Sequence, residues 1–516
     1  YFCVPCKPSN ANGNRTRNLP KHDPDKWKLF KEYNGQDVVT EMEIDHRLSA
    51  FPVPAFVQKQ WETDLQMNAR GVAADMELVR GALVIGAIVK SRLMTEARQL
   101  SGLDNPNSIR QLAQWLTDAT DSDAEITSVT KETVATMLKQ PQPANVQRML
   151  EIRQELGKTS TKKYDALETC IADDGRVRGL LQFYGANRTG RWAGRLVQVQ
   201  NLPRTYTHPL PPARQLVKDR NIDGLRMMYG SINDTLSQLI RTAFVATPGN
   251  VLIDADFSAI EARVISWLAG QEWRLEVFRT HGKIYEASAS QMFHVPIEKI
   301  KKGNPEYALR QRGKVAELAL GYQGGVSAMR RMDVGHNLDD LSDDEVKGIV
   351  DRWRETNSMI RDLWNIVDSA AITVITNGGA QTIRAETTDA IITLACELDV
   401  ITGTRYMTIL LPSGRKLYYP SPEIGVNRWG NPSVSYTGQN QTTKRWERVE
   451  TYGGKLVENI VQAIARDCLA IAIENLEAQG LHVVFHIHDE VVIDTPAWAD
   501  EDTMLETVTK IMTKPI

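Results

Sequence analysis

Strand-forming sequence is scarce and scattered in this chain. Val251-Leu-Ile-Asp, Met407-Thr-Ile-Leu-Leu, Arg415-Lys-Leu-Tyr-Tyr and Val483-Val-Phe-His-Ile are its apolar, β-rich runs. A sheet that unites the first and last of them must be assembled from distant parts of the chain, with a long segment of helical character, residues 258–400, inserted between its strands. Helical periodicity also dominates residues 70–170, as in Met76-Glu-Leu-Val-Arg-Gly-Ala-Leu-Val-Ile, broken by the polar loop Gln140-Pro-Gln-Pro-Ala. No internal repeat of the solenoid kind is visible. The expected class is therefore α+β and helix-rich, and a length of 516 residues suits about three or four domains or one large multi-lobed enzyme rather than a small binding module.

Charge narrows the possible partners. Lys plus Arg is 61 against 64 for Asp plus Glu, a net charge of −3, so no global field draws in a polyanion. A local one exists: between Arg176 and Arg220 nine basic residues face one acid, Asp219. Five scattered cysteines give no disulfide framework, which suits a reducing compartment, and Cys3-x2-Cys6 lacks a second pair at metal spacing. There is no run long enough for a membrane span and no signal-peptide layout, so the expected location is the cytoplasm.

Four constellations carry chemistry. In the first, Val251-Leu-Ile-Asp-Ala-Asp256-Phe-Ser-Ala-Ile-Glu261-Ala-Arg263, a strand ends at Asp256 and opens into an amphipathic helix. A carboxylate there either meets a divalent cation in a cleft or caps the helix. In the second, His488-Asp489-Glu490 sits between two apolar β runs as the tip of a tight hairpin; clustered acids need a neutralising cation unless the turn is simply exposed. In the third, Arg310, Lys314, Leu318 and Tyr322 recur every four residues, so one helical face offers two cations, an apolar side chain and an aromatic to phosphates and a base, or else to solvent. In the fourth, Arg188-Thr-Gly-Arg191-Trp-Ala-Gly-Arg195-Leu-Val-Gln-Val-Gln200-Asn201-Leu-Pro-Arg204, arginines interleave with amides and can grip a sugar-phosphate backbone and minor-groove acceptors, or form a basic surface loop. The P-loop, dinucleotide and zincin motifs are missing. Taken together, the four describe metal-assisted nucleotidyl transfer.

The sequence resembles family A DNA polymerases, the kind named for bacterial DNA polymerase I and common in bacteriophages. Asp256-Phe-Ser-Ala-Ile-Glu-Ala-Arg is similar to the family's motif A, Arg310-x3-Lys314-x7-Tyr322-x-Gly to motif B and His488-Asp-Glu to motif C. Thr189-Gly-Arg191, Val199-Gln-Asn-Leu-Pro, Ile240-Arg241-Thr-Ala-Phe and Val461-Gln462 resemble further family segments in the family's order, over residues 160–495. The resemblance implies a template-directed DNA polymerase that adds dNTPs to a primer 3′-hydroxyl in phage-type DNA replication. Its fold would be a right hand: an antiparallel palm sheet with helical fingers and thumb. Its expected parts are an exonuclease-domain remnant at 1–47, palm entry and thumb at 48–170, first palm segment at 171–265, fingers at 266–405 and second palm segment at 406–516.

Roles follow residue by residue from the same resemblance. Asp256 and Asp489 are the implied metal-binding catalytic carboxylates, for two magnesium ions with manganese as substitute, and Glu490 supports them. Arg241, Glu261, Arg310, Lys314, Leu318 and Tyr322 are implied at the dNTP, with Glu261 as the gate against a ribose 2′-hydroxyl. Arg188, Arg191, Arg195, Gln200, Asn201, Gln462 and His488 are implied at the primer-template. The chain departs from the family pattern at Leu318, usually Phe or Tyr, at Phe257, usually Tyr, and at Tyr285 with Lys283, where many members carry a phosphate-touching histidine. Leu318 predicts altered sugar discrimination, and both Leu318 and Tyr285 suit phage-type members. Tyr33-Asn-Gly-Gln-Asp37 has the form of the last 3′–5′ exonuclease motif; without the earlier ones no proofreading is expected, and a start at Tyr1 and an end at Met512-Thr-Lys-Pro-Ile suggest a fragment. A monomer is expected. The rivals are a single-subunit RNA polymerase, against which Glu261 speaks, and a non-catalytic primer-template binder, which needs no acids at the metal positions.

Overall fold

The computed structural model describes residues 1–120, 126–158, 161–427, 429–497 and 500–514, apart from the side chain of residue 501. It divides into two compact units, Tyr1–Glu62 and Thr63–Ile516. In the first, Asp23 accepts a hydrogen bond from the Lys26 amide and so caps the helix Pro24–Leu48. Phe2, Trp27 and Phe30 form a small aromatic cluster beside it. Tyr33 and Asp37 both lie on exposed faces of this helix.

The second unit is organised by a three-stranded antiparallel sheet in the order Val483–Ile487, Glu490–Pro496, Asn250–Asp256. Its strands are rich in β-branched residues, and the consecutive buried runs Val483–His486 and Val491–Ile493 show that the sheet is covered on both faces there, while Asp254 and Asp256 on the edge strand stay exposed. The helix Gly453–Ala478 joins two hydrophobic cores. Leu469, Ala472, Ile473 and Leu476, in its second half, pack with the strand residues Val483, Val491 and Ile493 and with the helix Met76–Ser101. Leu456, Val457, Ile460 and Val461, in its first half, pack with the helices Tyr307–Leu320 and Ser358–Asn377. Phe257, one residue beyond the edge strand Asn250–Asp256, touches both cores, so the end of that strand lies at their junction.

Helices fill most of 76–170: Met76–Ser101, Ile109–Ala119, Lys131–Leu138, Ala144–Leu156 and Lys162–Cys170. Among the described residues none is long and apolar enough to cross a membrane. The expectation of helix throughout 258–400, with few strands elsewhere, needs correction. Helix ends at Asn377, and Gly379–Arg384, Ile391–Leu398, Arg405–Leu410 and Lys416–Pro420 form a four-stranded antiparallel sheet, followed by the three-stranded sheet Glu423–Val426, Pro432–Gln439 and Trp446–Thr451. Gln381, Arg384 and Glu397 break the apolar alternation in these strands because their exposed faces meet solvent, so periodicity alone underestimates them. Among the helices Ile260–Ala269, Glu272–Thr280, Tyr307–Leu320 and Asp343–Thr356, Arg274 is 1% exposed and donates to both oxygens of Glu317, to Ser266 and to Asn357, while Trp353 also donates to Glu317. A buried charge is tolerated there because every partner is supplied.

Candidate active site

The central sheet brings the acids together. Glu490 lies directly across from Asp256, and the Phe257 amide donates to the Asp489 carbonyl at 3.1 Å. Two residues, His488 and Asp489, close the hairpin, with His488 in left-handed backbone at φ 51°, which turns the chain sharply enough to present Asp489 beside the strand end. Asp256 is not a helix cap: the helix Ile260–Ala269 starts four residues later from Ala259, without a side-chain cap.

Electrostatics confirm the crowding. Burial pushes the Asp489 carboxyl up to about 6, with Glu261 and Asp256 adding to the rise and Arg191 opposing it. Burial and Asp254 raise Asp256; burial, Asp254 and Asp256 raise Glu490 against the pull of Arg241. Arg191 spans two of these acids, pairing with Glu261 at 2.9 Å and Asp489 at 3.4 Å. The Tyr322 hydroxyl donates to the other Glu261 oxygen at 2.8 Å. Motif residues far apart in sequence thus form one chain of hydrogen bonds and ion pairs, Tyr322 to Glu261 to Arg191 to Asp489.

The remaining predicted residues spread around this centre. Arg310 and Lys314 lie on the helix Tyr307–Leu320; Arg310 donates to Glu286 at 2.8 Å, and Leu318 is exposed. Arg241 donates to the Leu202 carbonyl. Gln200 and His488 line a cavity of about 20 Å³ with Arg191, Trp192, Arg466 and His486. Gln462 donates to Glu458, and Asn201 to Gln198. Arg195 is exposed. Arg188 is held elsewhere, its guanidinium 4.3 Å from the Tyr436 ring and 5.6 Å from Tyr419.

Motif inspection missed the residues that hold Arg191 in place. Buried Asp64 accepts from Trp192 Nε1 at 2.9 Å and from Asn68 at 3.0 Å. Arg466 stacks 4.5 Å from Trp192 and donates to the Gly190 carbonyl, while Arg415 and Asp467 pair at 2.9 Å behind it. Gly190 has φ 78°, and a Cβ there would meet Arg415 at 2.6 Å and the Tyr184 ring at 2.8 Å. One signal was available: Arg466 follows Gln462 by one helical turn.

Asp64 makes a pH prediction. Burial raises its carboxyl to about 6, from the ordinary 3.8 of an aspartate. Between those values the folded chain binds more protons than the unfolded chain, so this group's contribution is complete below pH ~4 and lost as pH rises past 6. The contribution is at most about 3 kcal/mol. Denaturant unfolding from pH 4 to 7.5 should show a steeper loss of stability in the native chain than in Asp64→Asn; parallel curves would contradict the buried-acid assignment.

An Asp-bearing hairpin beside an Asp at a strand end suits a nucleotidyl-transfer centre, and comparisons with known proteins give the chain its class. Residues 88–384 match the DNA polymerase family A model. The chain is 47% identical over 517 residues to the DNA polymerase of Bacillus phage SP02, covering 100% of this chain and 76% of that protein. It is 24% identical over 443 residues to the thermostable DNA polymerase I of Thermus aquaticus, covering 83% of this chain and 42% of that one, so it spans less than half the bacterial enzyme's length. The solved structure of the POL domain of Pol1 from M. smegmatis, in complex with DNA primer-template and dNTP, superposes with a TM-score of 0.57 at 19% identity, covering 91% of this chain and 69% of that one. The chain belongs to DNA polymerase family A. It is a DNA-directed DNA polymerase, and polymerases of this family use divalent metal ions.

Proposed function

We propose that Asp256 and Asp489 hold the divalent ions, magnesium by preference with manganese as substitute, and that the primer 3′-hydroxyl attacks the dNTP α-phosphorus beside them. The observation that carries this is the register of the central sheet, which sets Asp256 opposite Glu490 and next to Asp489. The donor set suits a hard cation: carboxylate oxygens, crowded enough that burial and mutual repulsion raise their pKa values. Among the described residues no three His, Cys, Asp or Glu form a ready-made cage, which fits magnesium, commonly bound by one or two carboxylates together with substrate phosphates. When bound, the metal lowers the hydroxyl's pKa and offsets charge on the phosphates.

The protein's own groups do the rest. Lys314 and Arg310 offset triphosphate charge from the fingers helix, with Arg241 near Glu490. Glu261, pinned by Tyr322 and Arg191, forms a wall at the sugar. Arg191, Gln200, Asn201, Gln462 and His488 face the primer-template, with Arg195 in reach of its backbone; Arg188, stacked on Tyr436, acts from further out. The thumb, fingers and palm boundaries at 48–170, 171–265, 266–405 and 406–516 follow from this assignment, as does the view of 1–47 as an exonuclease remnant without proofreading. We place the chain as a monomer in the host cytoplasm during phage DNA replication.

Lys314 tests the assignment. It makes no ion pair among the described residues, so its charge is available to a ligand. Lys314→Ala should raise the KM for dNTP roughly tenfold or more, with primer-template affinity nearly unchanged. A KM within twofold of the native value in steady-state extension would remove Lys314 from the triphosphate.

A further inference from the structure

Arg310 and Lys314 occupy successive turns of one helix, but their surroundings differ. Arg310 Nε donates to Glu286 at 2.8 Å, both side chains being largely shielded, at 26% and 15% exposure. Tyr285 and Tyr307 flank the guanidinium at 5.4 and 5.8 Å. Among the described residues the two terminal nitrogens of Arg310 make no hydrogen bond to protein, so the fork is tied at one edge and open at the other. This differs from the structural pair Arg274 and Glu317, in which both terminal nitrogens of the guanidinium are engaged by protein partners.

The helices carrying the pair cannot separate easily. Ile284–Phe293 and Tyr307–Leu320 meet at Gly313, where a Cβ would lie 2.3 Å from the Tyr285 carbonyl oxygen and 3.1 Å from Ala289 Cβ. Glu286 is therefore held at a fixed distance from Arg310. Burial and Glu317 raise the Tyr285 hydroxyl, Arg310 opposes the rise, and Glu286 and Asp256 add to it, so this tyrosine beside the pair is within electrostatic range of Asp256.

We propose that Glu286 is a positioning residue that keeps Arg310 in a half-engaged ion pair, so that an incoming triphosphate or departing pyrophosphate meets a guanidinium whose charge is already partly offset. This rests on the placement of Arg310 at the triphosphate. A phosphate approaching the open edge of the fork is attracted by Arg310 and repelled by Glu286, so the acid weakens binding of both polyanions. A polymerase must release pyrophosphate in every cycle, and a fully charged Arg310 would retard that step.

Glu286→Gln keeps an acceptor for Arg310 Nε and removes the charge. In single-nucleotide incorporation by the full chain on a primer-template, the variant should tighten the apparent dNTP Kd and the inhibition constant of inorganic pyrophosphate together, roughly threefold to tenfold each. A structural role would not move the pyrophosphate constant in that direction. In an Arg310→Ala background the substitution should lose its effect, because the charge it modulates is gone. Unchanged constants in Glu286→Gln, or weaker dNTP binding like that of Arg310→Ala, would overturn the proposal and leave Glu286 as an orienting group. If Arg310→Ala itself leaves dNTP binding unchanged, it is the triphosphate placement that fails, and the positioning role of Glu286 falls with it.

Discussion

Asp489→Asn will stop primer extension while primer-template binding survives. The substitution keeps the shape of the side chain and the hairpin backbone that carries the Phe257 amide contact, but removes one of the two carboxylates that meet at the strand ends. With a single charged ligand left, the metal and the reacting phosphate lose their shared support, and the expected loss in single-turnover rate is about 1,000-fold or more, on the order of 4 kcal/mol. DNA affinity should change little. Among the described residues Asp489 has one ion-pair partner, Arg191 at 3.4 Å, and Arg191 retains Glu261 at 2.9 Å, so the arginine stays in place without it. Asp256→Asn should behave alike. Extension within tenfold of the native rate, at undiminished metal concentration, would remove these acids from catalysis.

Glu261→Ala will open the site to ribonucleotides. In the native chain each oxygen of Glu261 has its own anchor, Tyr322 on one and Arg191 on the other. A carboxylate fixed at two points cannot swing aside for an added hydroxyl, and its charge and lone pairs are already committed. Truncation removes the wall and releases Tyr322 and Arg191, so dNTP incorporation should fall as rNTP incorporation rises, with the preference for dNTP reduced about 100-fold or more. An unchanged ratio of dNTP to rNTP incorporation by the variant would remove the gate from Glu261.

The carboxylates assigned here to the metal ions were legible in the sequence because they sit at element ends, where punctuation is strongest. Asp256 closes an apolar strand and Asp489 sits in a two-residue hairpin, and both features survive as local pattern. The four-residue spacing of Arg310, Lys314 and Leu318 likewise follows from helix geometry alone, although the helix itself ends at Leu320 and Tyr322 lies just beyond it. What was not legible is the support. Asp64, Trp192, Arg415 and Asp467 hold the Arg191 segment through contacts between residues far apart in sequence, and no periodicity marks them. Glu286 was hidden for the same reason: its meaning comes from the close approach at Gly313, not from its neighbours in the chain. The sheets at 379–451 were underread because solvent-facing polar residues dilute the apolar alternation of their strands.

Single-nucleotide extension of a primed DNA template tests the central claim most directly, run with magnesium, with dNTPs or rNTPs in parallel, and with EDTA as control. The account predicts template-matched extension by dNTPs, little by rNTPs and none in EDTA. Extension by rNTPs alone, or binding of the primer-template with no extension under any metal, would contradict it.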